Sequence, residues 1–341
     1  MDALTQITLG AAVGEATAGR KAGNKAVLMG AIGGLIPDLD TFGRLFMSEV
    51  DYMGVHRGFS HSFTFAIIFP YIFAFLTKKL LKKTDISIHR LALLYFLAFL
   101  THILLDSFTS YGTQLFQPFS NYAVAWNSIF IIDPLYTLPL LIGVITAMFF
   151  SRRSTKRLYI NWIGLVISTL YLFSTLFTQA AAKDVFVDNL NDQNRKFEEI
   201  VVLPTPLNTI MWYAIARDGD KYYMGVHSLM SDDRNIEFIE IESNSELIAA
   251  YKDETAIEKL MWFTKGFYQA FENEGKLYIG ALKFGSMDML TNGDNGKDYV
   301  FTYEIIRDDS GKPVSFTQNF DRGTLSNFDF NKYLREIFGN N

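Results

Sequence analysis

Cysteine is absent from the 341 residues. Disulfides and thiolate chemistry are thereby excluded, and any metal site must draw on His, Asp, Glu or backbone oxygen. A long basic tract is also missing and the net charge is −5, so nucleic acid is not an expected partner. The first residues lack a basic start and carry Asp2 and Glu15, so no cleavable signal peptide is read there. Residues 107–132 contain neither Lys nor Arg.

What is present is unevenly distributed. Hydrophobic residues make up 49% of the chain, but they crowd into its first half. Residues 1–182 are oily, with charges bunched in short clusters; residues 183–341 are polar, acidic and mixed in pattern. Four runs are long enough to span a bilayer or nearly so: 59–77, 88–108, 130–150 and 158–178. Two shorter runs precede them, LTQITLGAAVGEATAG (4–19) and NKAVLMGAIGGLIPDL (24–39). Both are rich in Gly and Ala, which let helix backbones approach closely in lipid. The expected architecture is an α-helical polytopic membrane domain over 1–182, with four long spanning helices and an N-terminal short helical hairpin. A soluble α+β domain over 183–341 follows it.

Positive charge sets the orientation. RKAGNK (20–25), TKKLLKKTDISIHR (77–90) and SRRSTKR (151–157) occupy alternate connections and are expected in the cytoplasm. The other connections are poor in Lys and Arg; 38–58 has only Arg44 and Arg57 against four acids. The N-terminus and residues 183–341 then lie outside the cytoplasm, in a multi-pass protein of a bacterial cytoplasmic (inner) membrane.

This orientation brings seven candidate ligands to one depth, on the outer side. Asp38 and Asp40 end the second short helix, and His56 and His61 precede the 59–77 run. His102 and Asp106 close the 88–108 run, and Asp133 opens the 130–150 run. His102 and Asp106 are four apart, on one helix face. Mixed nitrogen and oxygen ligation without sulfur suits Zn²⁺, with Mn²⁺ or Fe²⁺ as alternatives. Three or four ligands would hold one ion, and seven suggest two ions that share a bridging carboxylate and a bridging water. Arg57, beside the histidines, is placed to clamp a phosphate. Blander readings exist: PDLD can be a helix stop, and Asp133 before Pro134 can be an N-cap. His89 reads as solvated and His227 as structural. Ionisable groups at the edge of spanning runs are nevertheless functional hypotheses by default.

MDALTQITLGAAVGEA, GLIPDLD, HRGFSHS, THILLDSFTSYGTQLFQPFS and WNSIFIIDPLYTLPLL together resemble the bacterial membrane-bound metal-dependent hydrolases, the YdjM-like family also described as LexA-binding, inner-membrane-associated hydrolases. The resemblance covers about residues 1–180. LPTPLNTIMWYAI and KLMWFTKGFYQ resemble the C-terminal extension of one subgroup. It implies metal ligands at Asp38, His56, His61, His102, Asp106 and Asp133, with Asp40 close by. Many relatives carry a histidine after the early threonine; Gln6 stands there in this chain, which implies one nitrogen ligand fewer. The repressor-binding part of the description does not fit a site that faces away from the cytoplasm.

Residues 183–341 alternate short apolar and polar runs, read as strands at 221–229, 236–243, 276–285 and 299–308, with a helix at 254–271. No catalytic constellation stands out there. The expected function is that of an integral-membrane metal-dependent hydrolase. Membrane lipids surround it, and a lipid phosphate is its expected substrate. Attack of metal-activated water on a phosphoester would use Asp40 or Asp133 as proton acceptor and Arg57 as phosphate clamp. The rival is a non-catalytic membrane scaffold or metal-dependent transporter with a partner-binding outer domain. A transporter should place its ionisable residues near mid-membrane, and here they cluster at one end.

Overall fold

A computed structural model describes residues 1–81, 85–286, 299–319 and 329–339. Lys82 and Lys83 of the basic 77–90 cluster lie outside them. The chain divides into two compact units. The first comprises Met1–Gly43, Val55–Leu176 and Pro206–Asn208; the second comprises Arg44–Gly54, Phe177–Thr205 and Thr209–Asn341.

The first unit is helical. It opens with α1 (Ala3–Ala22) and α2 (Asn24–Leu35), an antiparallel pair. Their contact is made of glycine. An added Cβ at Gly10 would lie 2.8 Å from Gly34 Cα, and one at Gly14 would lie 2.9 Å from Gly30 Cα. No side chain fits between backbones that close, and the dispersion gained along such a seam is what holds helices together in lipid. Pro37 has no N–H with which to continue the ladder, so α2 stops and a 3-10 segment, Pro37–Leu45, sets off at 48° to it. That segment is two-sided: Leu39 and Phe42 stay exposed, whereas Asp38 and Asp40 turn toward the histidines described below.

Next come α4 (Phe63–Leu80) and α5 (Ile88–Phe108), each started by a serine N-cap, Ser62 accepting from Phe65 N–H and Ser87 from Arg90 N–H. In sequence between them and the 3-10 segment comes the short helix α3 (Glu49–Val55), all of which but Val55 falls in the second unit. The last helices of this unit are α6 (Pro134–Met148) and the first part of α7 (Thr155–Asp192). Three helices among the described residues are long and apolar enough to cross a membrane: α4, α5 and α7. The bent pair of α2 and its 3-10 extension makes a fourth if counted as one span. The expected long span at 130–150 is different: α6 has 15 residues, about 22 Å of helix, short of a hydrocarbon core of about 30 Å. The helix starts only at Pro134, because Asp133, in extended backbone, caps it and proline takes its first position.

One polar contact inside this unit has no counterpart in the sequence reading. Arg157, in the first turn of α7, is buried and forms a bidentate pair with Glu15 of α1, at 2.7 and 2.5 Å. Asn161, one turn on, donates to the Ala12 carbonyl at 3.0 Å. The SRRSTKR cluster is thus not wholly solvated; its last residue ties α7 to α1.

The second unit contains two antiparallel sheets, ordered β1-β2-β3-β4 and β5-β6-β7-β8. The first runs through β1 (Glu199–Pro204), β2 (Met211–Asp218), β3 (Lys221–Ser228) and β4 (Ile239–Glu242). The second runs through β5 (Tyr268–Asn273), β6 (Lys276–Ala281), β7 (Thr302–Arg307) and β8 (Pro313–Asn319). The helix read at 254–271 is shorter, α8 (Thr255–Thr264), because Lys265 and Gly266 both take positive φ and end it; β5 then begins. A terminal helix, α9, spans Phe330–Ile337. The two sheets share a motif. Lys-Tyr-Tyr-Met-Gly opens β3 and Lys-Leu-Tyr-Ile-Gly opens β6, each after a tight turn at Gly219 or Gly275. Gly225 and Gly280 then each lie under an aromatic ring, Phe238 and Tyr299.

The glycine seam generates a prediction. Gly14→Leu forces α1 and α2 apart and is expected to destabilise the first unit by about 3 kcal/mol or more. Thermal unfolding in detergent would show it, and a Gly14→Ala protein should fall between the two. A Gly14→Leu protein that melts with the wild type would refute the close contact.

Candidate metal centre

Three segments of the first unit build the site: the bend after α2, the turn at 56–62 and the last two turns of α5. His102 and Asp106 are one helical turn apart on α5, with His102 buried and Asp106 fully so. The bend brings Asp38 and Asp40; the turn brings His56, Arg57 and His61.

Hydrogen bonds decide the state of both buried histidines. His102 Nδ1 is 2.7 Å from the Gly34 carbonyl, which can only accept, so Nδ1 carries the proton. His61 Nδ1 is 3.2 Å from Asp40 Oδ2 and 3.0 Å from Ser60 Oγ, whose own hydrogen goes to Asp40 at 3.1 Å. In the neutral rings both Nε2 atoms therefore present lone pairs. They face each other across 3.2 Å. Asp38 Oδ1 stands 3.3 Å from His61 Nε2 and 3.5 Å from His102 Nε2. Asp106 Oδ2 stands 3.4 and 3.7 Å from the same two atoms. One ligand atom from each of the four residues lies within 4.8 Å of the others.

With both rings neutral, two lone pairs and two carboxylates converge on a buried point and repel one another. A cation at that point resolves the conflict. Ligands bound at about 2.0–2.2 Å to one ion stand roughly 3–3.5 Å apart, close to the 3.2–3.7 Å that separates each Nε2 from the other and from the two carboxylates. Asp106 Oδ2, buried and without a hydrogen bond among the described residues, fits the same conclusion. Two imidazoles and two carboxylates suit a divalent transition metal.

The remaining residues support these four. Asp40 accepts at both oxygens: His56 Nδ1 at 3.0 Å on Oδ1, and the Arg57 backbone N–H at 2.8 Å, Ser60 and His61 on Oδ2. It stands behind His61 and fixes its ring, the carboxylate–histidine–metal pattern. Arg57 is buried, with Nη1 donating to Thr109 Oγ1 at 2.9 Å, Nε 3.3 Å from Asp106 Oδ2, and the guanidinium 5.1 Å from the Tyr111 ring centre. Its backbone takes a left-handed φ of 53°, a conformation held by Asp40 on its N–H and Gln114 N–H on its carbonyl. Asp106 Oδ1 receives Gln6 Nε2 at 2.8 Å and the Met1 amino group.

The structure thus brings Asp38, His61, His102 and Asp106 together as one group, with Asp40, His56 and Arg57 around it. Asp40 and His56 are placed behind a ligand, not among the four. Asp133 is elsewhere: its Oδ1 accepts from Leu135 and Tyr136 N–H and its Oδ2 from the Tyr171 hydroxyl at 2.8 Å. Its N-cap geometry is the one that Pro134 announces. With Asp133 so committed, the described residues give one four-residue group rather than the seven-ligand pair of ions. Ser60, Thr109 and Tyr111 escaped the sequence reading, because uncharged partners of a carboxylate or a guanidinium carry no spacing signature.

Burial alone would lower the His61 pKa; the surrounding carboxylates of Asp106, Asp38 and Asp40 outweigh it and raise it to about 10 in the metal-free protein.

The family comparison concerns the same half of the chain. The sequence model of the YdjM inner membrane protein family matches residues 1–182, which include every residue of the site. A protein of Bacillus subtilis (strain 168), "Uncharacterized protein YfhP", is 26% identical over 232 residues, or 66% of this chain and 68% of that one. No solved structure matches the chain.

Two predictions follow from the geometry. Asp40→Asn releases the His61 ring and should weaken metal binding by about 10–100-fold, measured by competition with a chelating dye. Unchanged affinity would remove Asp40 from the support of the site. The second concerns pH. A histidine raised from 6.5 to about 10 stabilises the metal-free fold fully below pH 6.5, and that contribution is lost as pH rises through 10. The chelator-treated protein should therefore melt at progressively lower temperature between those limits. Metal requires the neutral ring, so the stabilisation that metal adds should grow over the same range. Parallel melting curves with and without metal would contradict this.

Proposed function

The chain belongs to the YdjM inner membrane protein family, and we propose that it is an integral-membrane metal-dependent hydrolase acting on a lipid or amphiphilic phosphoester at the outer face of the cytoplasmic membrane. The observation that carries the reading is the pair of facing Nε2 atoms, with Asp38 and Asp106 completing the group. A divalent cation held there supplies a Lewis acid for a phosphoryl oxygen and an acidified water at neutral pH.

The chain's own residues have distinct parts in this proposal. His61, His102, Asp38 and Asp106 hold the ion. Asp40 keeps the His61 ring in the tautomer that ligates, a positioning role in place of the expected proton acceptor. Arg57 lies against Asp106, so its charge steadies that carboxylate and faces the site; it is not a free clamp. Asp38 is the least enclosed of the four, with 21% of its side chain exposed, and marks the open side from which a substrate arrives.

Depth favours an amphiphile. The site stands where α5 ends and α4 begins, whereas Arg20, Lys21, Lys78, Lys79 and Arg152 stand at the opposite helix ends. By the distribution of positive charge, the site then opens away from the cytoplasm at headgroup level, and the second unit is extracytoplasmic.

The test begins with the full chain in detergent, purified without chelator. Metal content and release of phosphate from lipid phosphates in mixed micelles are measured beside a His102→Ala/Asp106→Ala double variant. The expected result is a bound transition metal and a metal-dependent rate, both falling to background in the variant. A folded wild type that takes up neither zinc nor manganese would end the hydrolase reading. Orientation is checked separately: alkaline phosphatase fused after Asn341 should be active, and an inactive fusion beside a fluorescent cytoplasmic reporter would reverse it.

A further inference from the structure

From the last turn of α5 to the start of α6, Ser107 to Ile132, the chain contains no Asp, Glu, Lys, Arg or His. The chain as a whole is 20% charged, and surfaces that face water carry about 25–35%. The stretch is nevertheless not packed away. Phe116, Phe119, Tyr122, Trp126, Ile131 and Ile132 are all exposed, Phe119 to 89%.

Its backbone has a definite shape. Thr113 and Val124 exchange N–H···O bonds at 2.9 Å each, which closes residues 114–123 into a finger. Phe119 stands in the turn of that finger, its N–H donating to the Phe116 carbonyl at 2.9 Å. The N–H groups of Thr113, Gln114, Leu115, Gln117, Phe119 and Ser120 all donate to protein carbonyls, and Pro118 has none to satisfy. A loop in water can leave such groups to solvent; a loop at a bilayer must satisfy them internally. Two bonds set its height on the helices. The Leu115 carbonyl accepts from Phe63 N–H at 2.9 Å, and the Gln117 carbonyl from Thr64 Oγ1 at 2.8 Å, both in the first turn of the spanning helix α4. Trp126 packs on Phe108, the last residue of α5, with ring centres 4.6 Å apart.

We infer that this finger is seated in the bilayer, at the boundary of headgroups and acyl chains on the metal-centre side, with lipid as its partner. Its outer residues are aromatic and aliphatic without charge, the composition that settles at that depth, and they continue the lipid-facing surface of α4. The base of the finger adjoins the metal centre: Gln114 N–H donates to the Arg57 carbonyl, and Tyr111 lies against the guanidinium. A finger held in lipid therefore holds Arg57 at the same depth, and the centre meets molecules that reside in the leaflet. This goes beyond the hydrolase reading and rests on the membrane spans, not on the metal or its chemistry.

The experiment uses the lack of cysteine, which makes any introduced thiol unique. Phe119→Cys and Tyr122→Cys are labelled with bimane in the full chain and reconstituted in phosphatidylcholine vesicles. Quenching by phosphatidylcholine brominated high on the acyl chain is compared with quenching by iodide present on both sides of the bilayer. Ile67→Cys, exposed in the second turn of α4, is the lipid reference, and Asp309→Cys, exposed in a turn of the second unit, is the water reference. The label at 119 should be quenched by brominated lipid comparably to that at 67, and by iodide several-fold less than that at 309. Iodide quenching at 119 equal to that at 309, without quenching by brominated lipid, would put the finger in water and overturn the inference. Quenching by neither agent would mean that protein covers it, which overturns the inference equally. Should Phe119→Cys not fold, Tyr122→Cys is read by the same criteria. If the label at 67 behaves like that at 309, the spans and the finger fall together. A metal-free or inactive protein that still gives the lipid pattern would remove the hydrolase reading and leave the finger in place.

Discussion

Two imidazoles face each other Nε2 to Nε2, at 3.2 Å, inside a membrane protein. With both rings neutral the arrangement is unfavourable on its own, and the groups around it hold it in place. The Gly34 carbonyl holds one ring and Asp40 the other, each by the nitrogen that points away from the centre. Asp106 is gripped from three directions, by Gln6, the Met1 amino group and Arg57. A fold that preserves repulsion at such expense keeps it for something that reverses its sign.

That preservation depends on backbone proximity more than on side-chain bulk. Gly34 both closes the α1–α2 seam against Gly10 and supplies the carbonyl that orients His102. The glycine that lets the two backbones touch is the residue that aims the imidazole. Farther along, the buried Arg157–Glu15 pair ties α7 to the same helix α1 that carries Gln6. A pair of that kind contributes little net stability compared with apolar residues of equal volume, but removing one partner leaves a buried charge. Its effect is to pin the register of α1, and so the height of Gln6.

Much of this was legible in the sequence, where periodicity and charge speak directly. The Gly/Ala hairpin, the spans at α4 and α5, and the convergence of Asp38, His61, His102 and Asp106 all follow from hydropathy and from ionisable residues at helix ends. What depth and charge do not convey has physical causes. Asp133 satisfied the same depth rule as the ligands, but depth says nothing about azimuth, and the carboxylate is turned to its own helix start. Asp40 lies two residues from Asp38 on a tight 3-10 turn, so the two carboxylates reach different sides of His61. Arg157 looked like one of several cytoplasmic charges, and only its partner, eleven dozen residues and more away in the chain, removes it from water. In the second unit, the likeness of Lys221-Tyr-Tyr-Met-Gly to Lys276-Leu-Tyr-Ile-Gly is visible by eye. Its meaning, a glycine roofed by an aromatic ring in each sheet, is a matter of three dimensions.

The 3-10 segment after Pro37 combines two roles in nine residues. Asp38 and Asp40 hold the centre from one side, and Leu39 and Phe42 form an uncovered oily edge on the other. The alternation is that of neighbouring residues, so no joint lies between the two faces. The segment is a single lever: whatever the oily edge rests against sets the position of Asp38 and of the carboxylate that steers His61.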